Sequence, residues 1–260
     1  MDIGNIHDHS SILPYLKQRK LSIPSTSQAS IMASNTIIFF FIASLFLLHT
    51  VSAVEYIITS NAGGTPGGNR FDTQIGADYC RQTMIEASGF IWSIFRQNTP
   101  ADRRNVQSVI LLIDRDLHQY PAFASNNRIH VSASYIARYN GDVRMAVTGI
   151  LYHEMVHVWQ WNGNGAAPGW LIEGYADYVR LKAGYIPGHW VAPGGGSSWM
   201  EGYDKTARFM DYLEGRRSGF VSALNRMLRV GYSPEYFVQL QGKTVAELWA
   251  EYKAAFGNRG

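Results

Sequence analysis

Cysteine is almost absent from this chain. Cys80 is the only one in 260 residues, so no internal disulfide can form and a fold stapled by bridges is excluded. Cys80 lies in a helical-looking stretch, where a buried, inert thiol is expected rather than a nucleophile. Charge is sparse as well, at 17% of residues with a net +3. Arg103-Arg104 and Arg216-Arg217 are isolated pairs, and without a dense basic block a nucleic-acid partner is not expected. No Asn-x-Ser/Thr sequon occurs, so N-glycosylation is not expected. There is no internal repeat and no Pro/Ser linker. The glycines of NAGGTPGGNR (61–70) are not followed by Gly-Lys-Ser/Thr, which makes them a turn-rich loop and not a phosphate loop.

A membrane-spanning run is also missing. The most apolar stretch, TIIFFFIASLFLL (36–48), has thirteen residues, against about 20 needed for a span. That length suits the core of a signal peptide. It ends in Val51-Ser52-Ala53, small residues that favour cleavage after Ala53. Met32 opens a complete signal peptide, while residues 1–31 are polar and carry no fold signal, so a start at Met32 is expected. Residues 1–53 are therefore read as extension and signal, and 54–260 as the mature domain. That domain is expected to be secreted, monomeric and without stable membrane association. Hydrophobic residues make up 46% of the chain, enough for a packed core.

Along the mature chain, 54–60 (VEYIITS) reads as a strand and 71–96 as an amphipathic helix. Residues 106–113 (VQSVILLI) form the strongest strand, apolar enough to be central in a sheet. NRIHVS (127–132) is shorter with a polar rhythm, which predicts an edge strand. Asn140-Gly141-Asp142 caps a long amphipathic helix that Asn162-Gly163-Asn164-Gly165 stops. Pro168-Gly169 opens a second, running to about Lys182. A glycine-rich loop follows at 192–198, and then three helical pieces, 202–215, 219–231 and 244–256. Strands first and helices after predict an α+β fold: a small mixed sheet, a mainly helical C-terminal lobe, and a cleft at the seam.

The most telling residues lie at that seam. His153-Glu154-Met155-Val156-His157 is an HExxH motif, and Glu173 follows after fifteen intervening residues, in GWLIEGYAD. Two histidines four apart share one helical face and can grip one Zn2+, with Glu154 between them as general base. The residues after His157 contain no third histidine near the motif, so a glutamate third ligand, Glu173, fits best. His118, His130 and His189 compete for that place, His189 most strongly. Asp177, one turn beyond Glu173, is placed to fix the tautomer of a ligand imidazole, His153 before His157. An oxyanion-stabilising group is needed as well. Tyr203 is preferred over Tyr175, Tyr185, His189 and Tyr232 because it opens the helix beyond the glycine loop.

The runs VEYIITSNAGGTPGG, FASNNRIHVSA, LYHEMVHVWQWNGNG, GWLIEGYADYVRLKAGY, GYDKTARFMDYL and GKTVAELWAEY resemble the plant basic secretory proteins, pathogenesis-related proteins classed among zinc peptidases of plants and bacteria. The resemblance covers essentially all of 54–260. It implies a gluzincin-like catalytic domain with zinc on His153, His157 and Glu173, Glu154 as base, a peptide or protein substrate, and an apoplastic defence setting. In zincin folds the strand before the HExxH helix is an edge that pairs with substrate backbone, and Asn127, Ile129 and Val131 are expected to carry that role. The leading reading is a zinc endopeptidase. A secreted defence protein that binds a peptide or a microbial surface ligand without cutting it, zinc site retained, is the alternative, and a metal-free structural helix is a third.

Overall fold

The computed structural model describes residues 53–257; the signal segment and the start at Met32 lie outside them. The described elements are, in order, β1 (Glu55–Ser60), α1 (Pro66–Gln74), α2 (Ala77–Ile94), β2 (Ser108–Asp114), β3 (Ala122–Ser125), β4 (Arg128–Ser132), α3 (Ala133–Arg138), α4 (Val143–Trp159), α5 (Gly169–Lys182), α6 (Tyr203–Arg216), α7 (Phe220–Met227), α8 (Glu235–Gln241) and α9 (Val245–Ala255). This is the expected α+β arrangement, a small mixed sheet with helices making up most of the rest.

The sheet runs β1-β2-β4-β3. The first two pairings are parallel and β3 runs antiparallel to β4. β2 is interior, as its apolar run predicts. Its side chains alternate: Val109, Leu111 and Ile113 are fully buried, and Ile129 and Val131 of β4 join them in the core. Each such side chain contributes roughly 1.5–3 kcal/mol by leaving water. Helix α2 packs on β1, and α4 packs on both α2 and β3.

The expectation that 127–132 is the edge is overturned. β4 is flanked on both sides, by β2 and β3, so Ile129 and Val131 point their backbone at protein and not at substrate. Asn127 is not in the strand; Asn126 and Asn127 both have positive φ, 50° and 59°, as a two-residue hairpin turn requires. That turn folds AFAS back as β3, which with β1 forms the two edges of the sheet among the described residues. Four residues with two alanines carry too little β signal to be read from sequence.

Other differences have local causes. The 61–70 loop ends early: Thr65 caps α1, its hydroxyl accepting from Gly68 N–H at 3.0 Å, and Pro66 fits the first turn because its missing N–H is not needed there. The single helix expected over 71–96 is two, broken where Gly76 takes φ +88°. Helix α4 is buried on nearly every side, with only Arg144, Met145 and His157 outside full burial, because α2, α5 and the sheet all pack on it. The C-terminal part holds four helices and not three; α8 follows Pro234.

Candidate metal and catalytic site

Helix α4 begins where Asp142 accepts from Met145 N–H at 2.9 Å. At its other end Arg104 donates to the carbonyls of His157 and Val158, at 3.1 and 3.0 Å. Those carbonyls have no partner within the helix, and a cation suits that end of the dipole. The turn bearing the motif is thus held at both sides. Helix α5 brings Glu173 alongside. Its Gly174 lets α6 approach: a Cβ there would lie 2.3 Å from Thr206 Cγ2. Gly202, at φ +74°, then turns the chain so that α6 opens with Tyr203.

Three donor atoms converge. His153 Nε2 lies 3.3 Å from His157 Nε2 and 3.1 Å from Glu173 Oε2. The His157 Nε2 to Glu173 Oε2 separation is 3.6 Å. These residues are the group among the described residues whose donors could hold a metal ion. Two imidazole nitrogens facing each other share at most one proton, so a cation between them suits them better than direct contact. Zinc bonds of about 2.0–2.1 Å at tetrahedral angles place donor atoms roughly 3.3 Å apart, which is the size of this triangle. The donor set fits the ion.

The surrounding groups orient the donors. His153 Nδ1 meets Asp177 Oδ1 at 2.7 Å, in the place expected for Asp177. Gln160, three residues past His157, has its amide 2.8 Å from His157 Nδ1. The atom placed there is the amide nitrogen, and the buried amide oxygen Oε1 has no partner. A metal on Nε2 leaves the proton on Nδ1, so holding it requires the amide turned over to present its oxygen. Gln160 escaped the sequence reading, although its i+3 spacing puts it on the motif's face. Glu154 is 5% exposed, and its Oε2 has no hydrogen-bond partner.

Burial works against charge on His153, but hydrogen bonds to Asp177 and Glu173 overcome it and push the imidazole up to about 10. Burial alone would raise Glu173, yet the hydrogen bonds from His153 and His157 hold it far below the carboxylate range. Glu154 is raised, chiefly by burial. The His153 and Glu173 shifts both favour a charged imidazole beside a charged carboxylate when no metal is bound.

The cleft around these residues has a volume of about 1150 Å³. Tyr203 and Tyr185 line it. Tyr203 is half exposed, and its ring lies parallel to that of His153 with centroids 6.2 Å apart. Tyr175 is fully buried, its hydroxyl donating to the Val221 carbonyl, and Tyr232 does not reach the cleft. Of the rival histidines, His118 is exposed, His130 is held by Asp114 at 2.6 Å, and His189 lines the cleft apart from the donor triangle. Ala122, Phe123 and Ala124 of β3 form one wall.

The sequence model of a family described as peptidase of plants and bacteria matches residues 51–252. The chain belongs to this family. A "Basic secretory protease" of Boswellia serrata is 44% identical over 62 residues, which are 24% of this chain and 72% of that protein. Membership makes peptide-bond hydrolysis the family activity, and the His153–His157–Glu173 group is compatible with a metal-dependent form of it.

Proposed function

We propose that the chain is a secreted zinc endopeptidase whose mature domain is 54–260. The observation that carries this reading is the donor triangle of His153, His157 and Glu173 at zinc-like spacing, with the unpaired carboxylate of Glu154 buried beside it. Bound zinc would supply Lewis acidity, acidifying water and polarising a carbonyl oxygen. Glu154 then takes the proton of the attacking water and passes it to the leaving amine. Its burial raises its proton affinity, which suits a group that must accept and return a proton. Asp177 and Gln160 hold the two imidazoles in the tautomer that leaves Nε2 free. Tyr203 is proposed to donate to the developing oxyanion; burial and the nearby carboxylates raise its phenol above the ordinary value of 10.0, which keeps the hydroxyl protonated at neutral pH.

A substrate strand is proposed to pair with the free edge of β3, by main-chain hydrogen bonds. This places the zincin-type recognition edge at Ala122–Ser125 and not at β4. Secretion is supported by the signal-like segment and by the name of the Boswellia relative. A role in plant defence rests on the resemblance to basic secretory proteins.

Metal analysis and peptide-library cleavage test the proposal together. One zinc per chain and cleavage inside peptides are expected. Glu154→Gln should keep the metal and lose at least about 100-fold in kcat, the usual worth of a positioned general base. Undiminished turnover by that variant would refute the mechanism, and zinc binding with no cleavage of any peptide would favour a binding protein.

A further inference from the structure

The catalytic cleft contains a cation that the hydrolytic mechanism does not use. Arg180 lies on α5 two turns after Glu173, on the same side of the helix, and lines the cleft. Its Nε donates to the Tyr185 carbonyl at 3.0 Å. Among the described residues, nothing accepts from either terminal nitrogen. The nearest carboxylate on its own helix, Asp177, is committed to His153 and makes no ion pair with it.

The guanidinium has a built seat. Gly149 of α4 has no side chain to fill the space: a Cβ there would lie 2.9 Å from Arg180 Nε and 3.0 Å from Nη2. The Trp190 ring is on another side, 5.6 Å from Cζ. Gly149 is one turn before His153, so the cation sits about 6 Å along the helix from the first donor histidine. An arginine stays charged even when partly buried. Its rigid fork matches a carboxylate with two parallel hydrogen bonds. Asp177 and Glu154 lie near enough to favour its charge, but burial outweighs them, and with no acceptor on either terminal nitrogen the fork is open to a directly bound anion.

We propose that Arg180 binds a carboxylate of the peptide substrate, one or two residues from the scissile bond. The distance follows from the offset of about 6 Å and an extended rise of about 3.3–3.6 Å per residue. The carboxylate belongs either to an acidic side chain or to the peptide's C-terminus. The proposal rests on the peptidase reading of this cleft, but it concerns binding and can fail or hold separately from turnover.

The test is a binding measurement on zinc-loaded Glu154→Gln protein, which separates recognition from cleavage. Fluorescently labelled hexapeptides carry Glu or Gln at each position in turn, with a free or amidated C-terminus. The best carboxylate peptide should bind roughly 10- to 100-fold tighter than its neutral isostere, the worth of a charge-assisted pair. Preference for internal Glu identifies a side-chain site; preference for the free terminus identifies a terminal one. Arg180→Gln should bring the ratio close to one. Gly149→Ala, which crowds the guanidinium without removing it, should lower the ratio as well and guards against a variant that misfolds. A ratio near one with Arg180 intact, or a ratio that survives both substitutions, would overturn the proposal. Wild-type protein that shows the preference but never cleaves would instead sink the peptidase reading and leave this one standing.

Discussion

Two residues around the donor triangle act only through the histidines they hold. Asp177 is 3% exposed and Gln160 2% exposed, and each meets the Nδ1 of one imidazole. Their difference is charge. Asp177 makes His153 a more basic donor, while the Gln160 amide only orients His157. Replacing either should weaken zinc binding by about 10- to 100-fold, the usual worth of such partners, with Asp177→Asn affecting the imidazole's basicity and Gln160→Ala mainly its orientation. Competition with a chelating dye would measure both. Gln160→Glu offers a sharper check, because either carboxylate oxygen can accept from Nδ1–H and the variant should bind zinc at least as well as Gln160→Ala. If all three variants bind zinc like the parent, these residues do not tune the site.

At the scale of elements, the site depends on how closely α5 and α6 approach. Gly174 sits directly after Glu173 and against Thr206, which is fully buried and donates to the Trp199 carbonyl at 2.6 Å. Gly174→Ala should cost about 1–3 kcal/mol through overpacking and push Tyr203 away from the triangle. Thr206→Ser removes the opposing methyl and keeps the hydroxyl, but its Cβ would still lie 2.7 Å from the new methyl, so the double variant should recover part of the loss. A denaturation cycle reads this directly, and additive losses would count against the contact. Such contacts explain what could be read from the chain. His153, Glu154, His157, Glu173 and Asp177 were legible because helix periodicity and capping residues fix their faces. Gln160 follows the same rule and was legible in principle. The order of β4 and β3 was not, because a four-residue strand with two alanines has no pattern strong enough to announce an edge. Seating Arg180 over Gly149 was equally hidden, since it depends on two helices meeting in space.

For the molecule as a whole, a metal held by His153, His157 and Glu173 would join α4 to α5 and replace a proton in doing so. In the metal-free state His153 is raised from an ordinary 6.5 to about 10. A raised basic group stabilises the fold fully below its unfolded value, and that contribution is lost as pH rises from 6.5 through about 10. Glu154, raised from 4.5, also loses stability for the fold as pH rises, beginning near 4.5. Glu173 is lowered from 4.5, so its contribution is present above 4.5 and lost only on acidification. The metal-free cluster therefore weakens steadily from about pH 4.5 towards 10. Zinc at the proposed site would behave oppositely, since it needs the His153 proton removed and would bind more tightly as pH rises. Thermal unfolding with and without chelator should show a gap that widens from about pH 5.5 to about pH 8. With zinc a thousandfold above Kd the gap corresponds to about 4 kcal/mol, or roughly 10 °C for a domain of this size. Titration in buffers of different ionisation enthalpy should detect about one proton released per zinc near neutral pH. A melting gap that narrows with rising pH, or zinc uptake without proton release, would show that the triangle does not hold a proton in the metal's place.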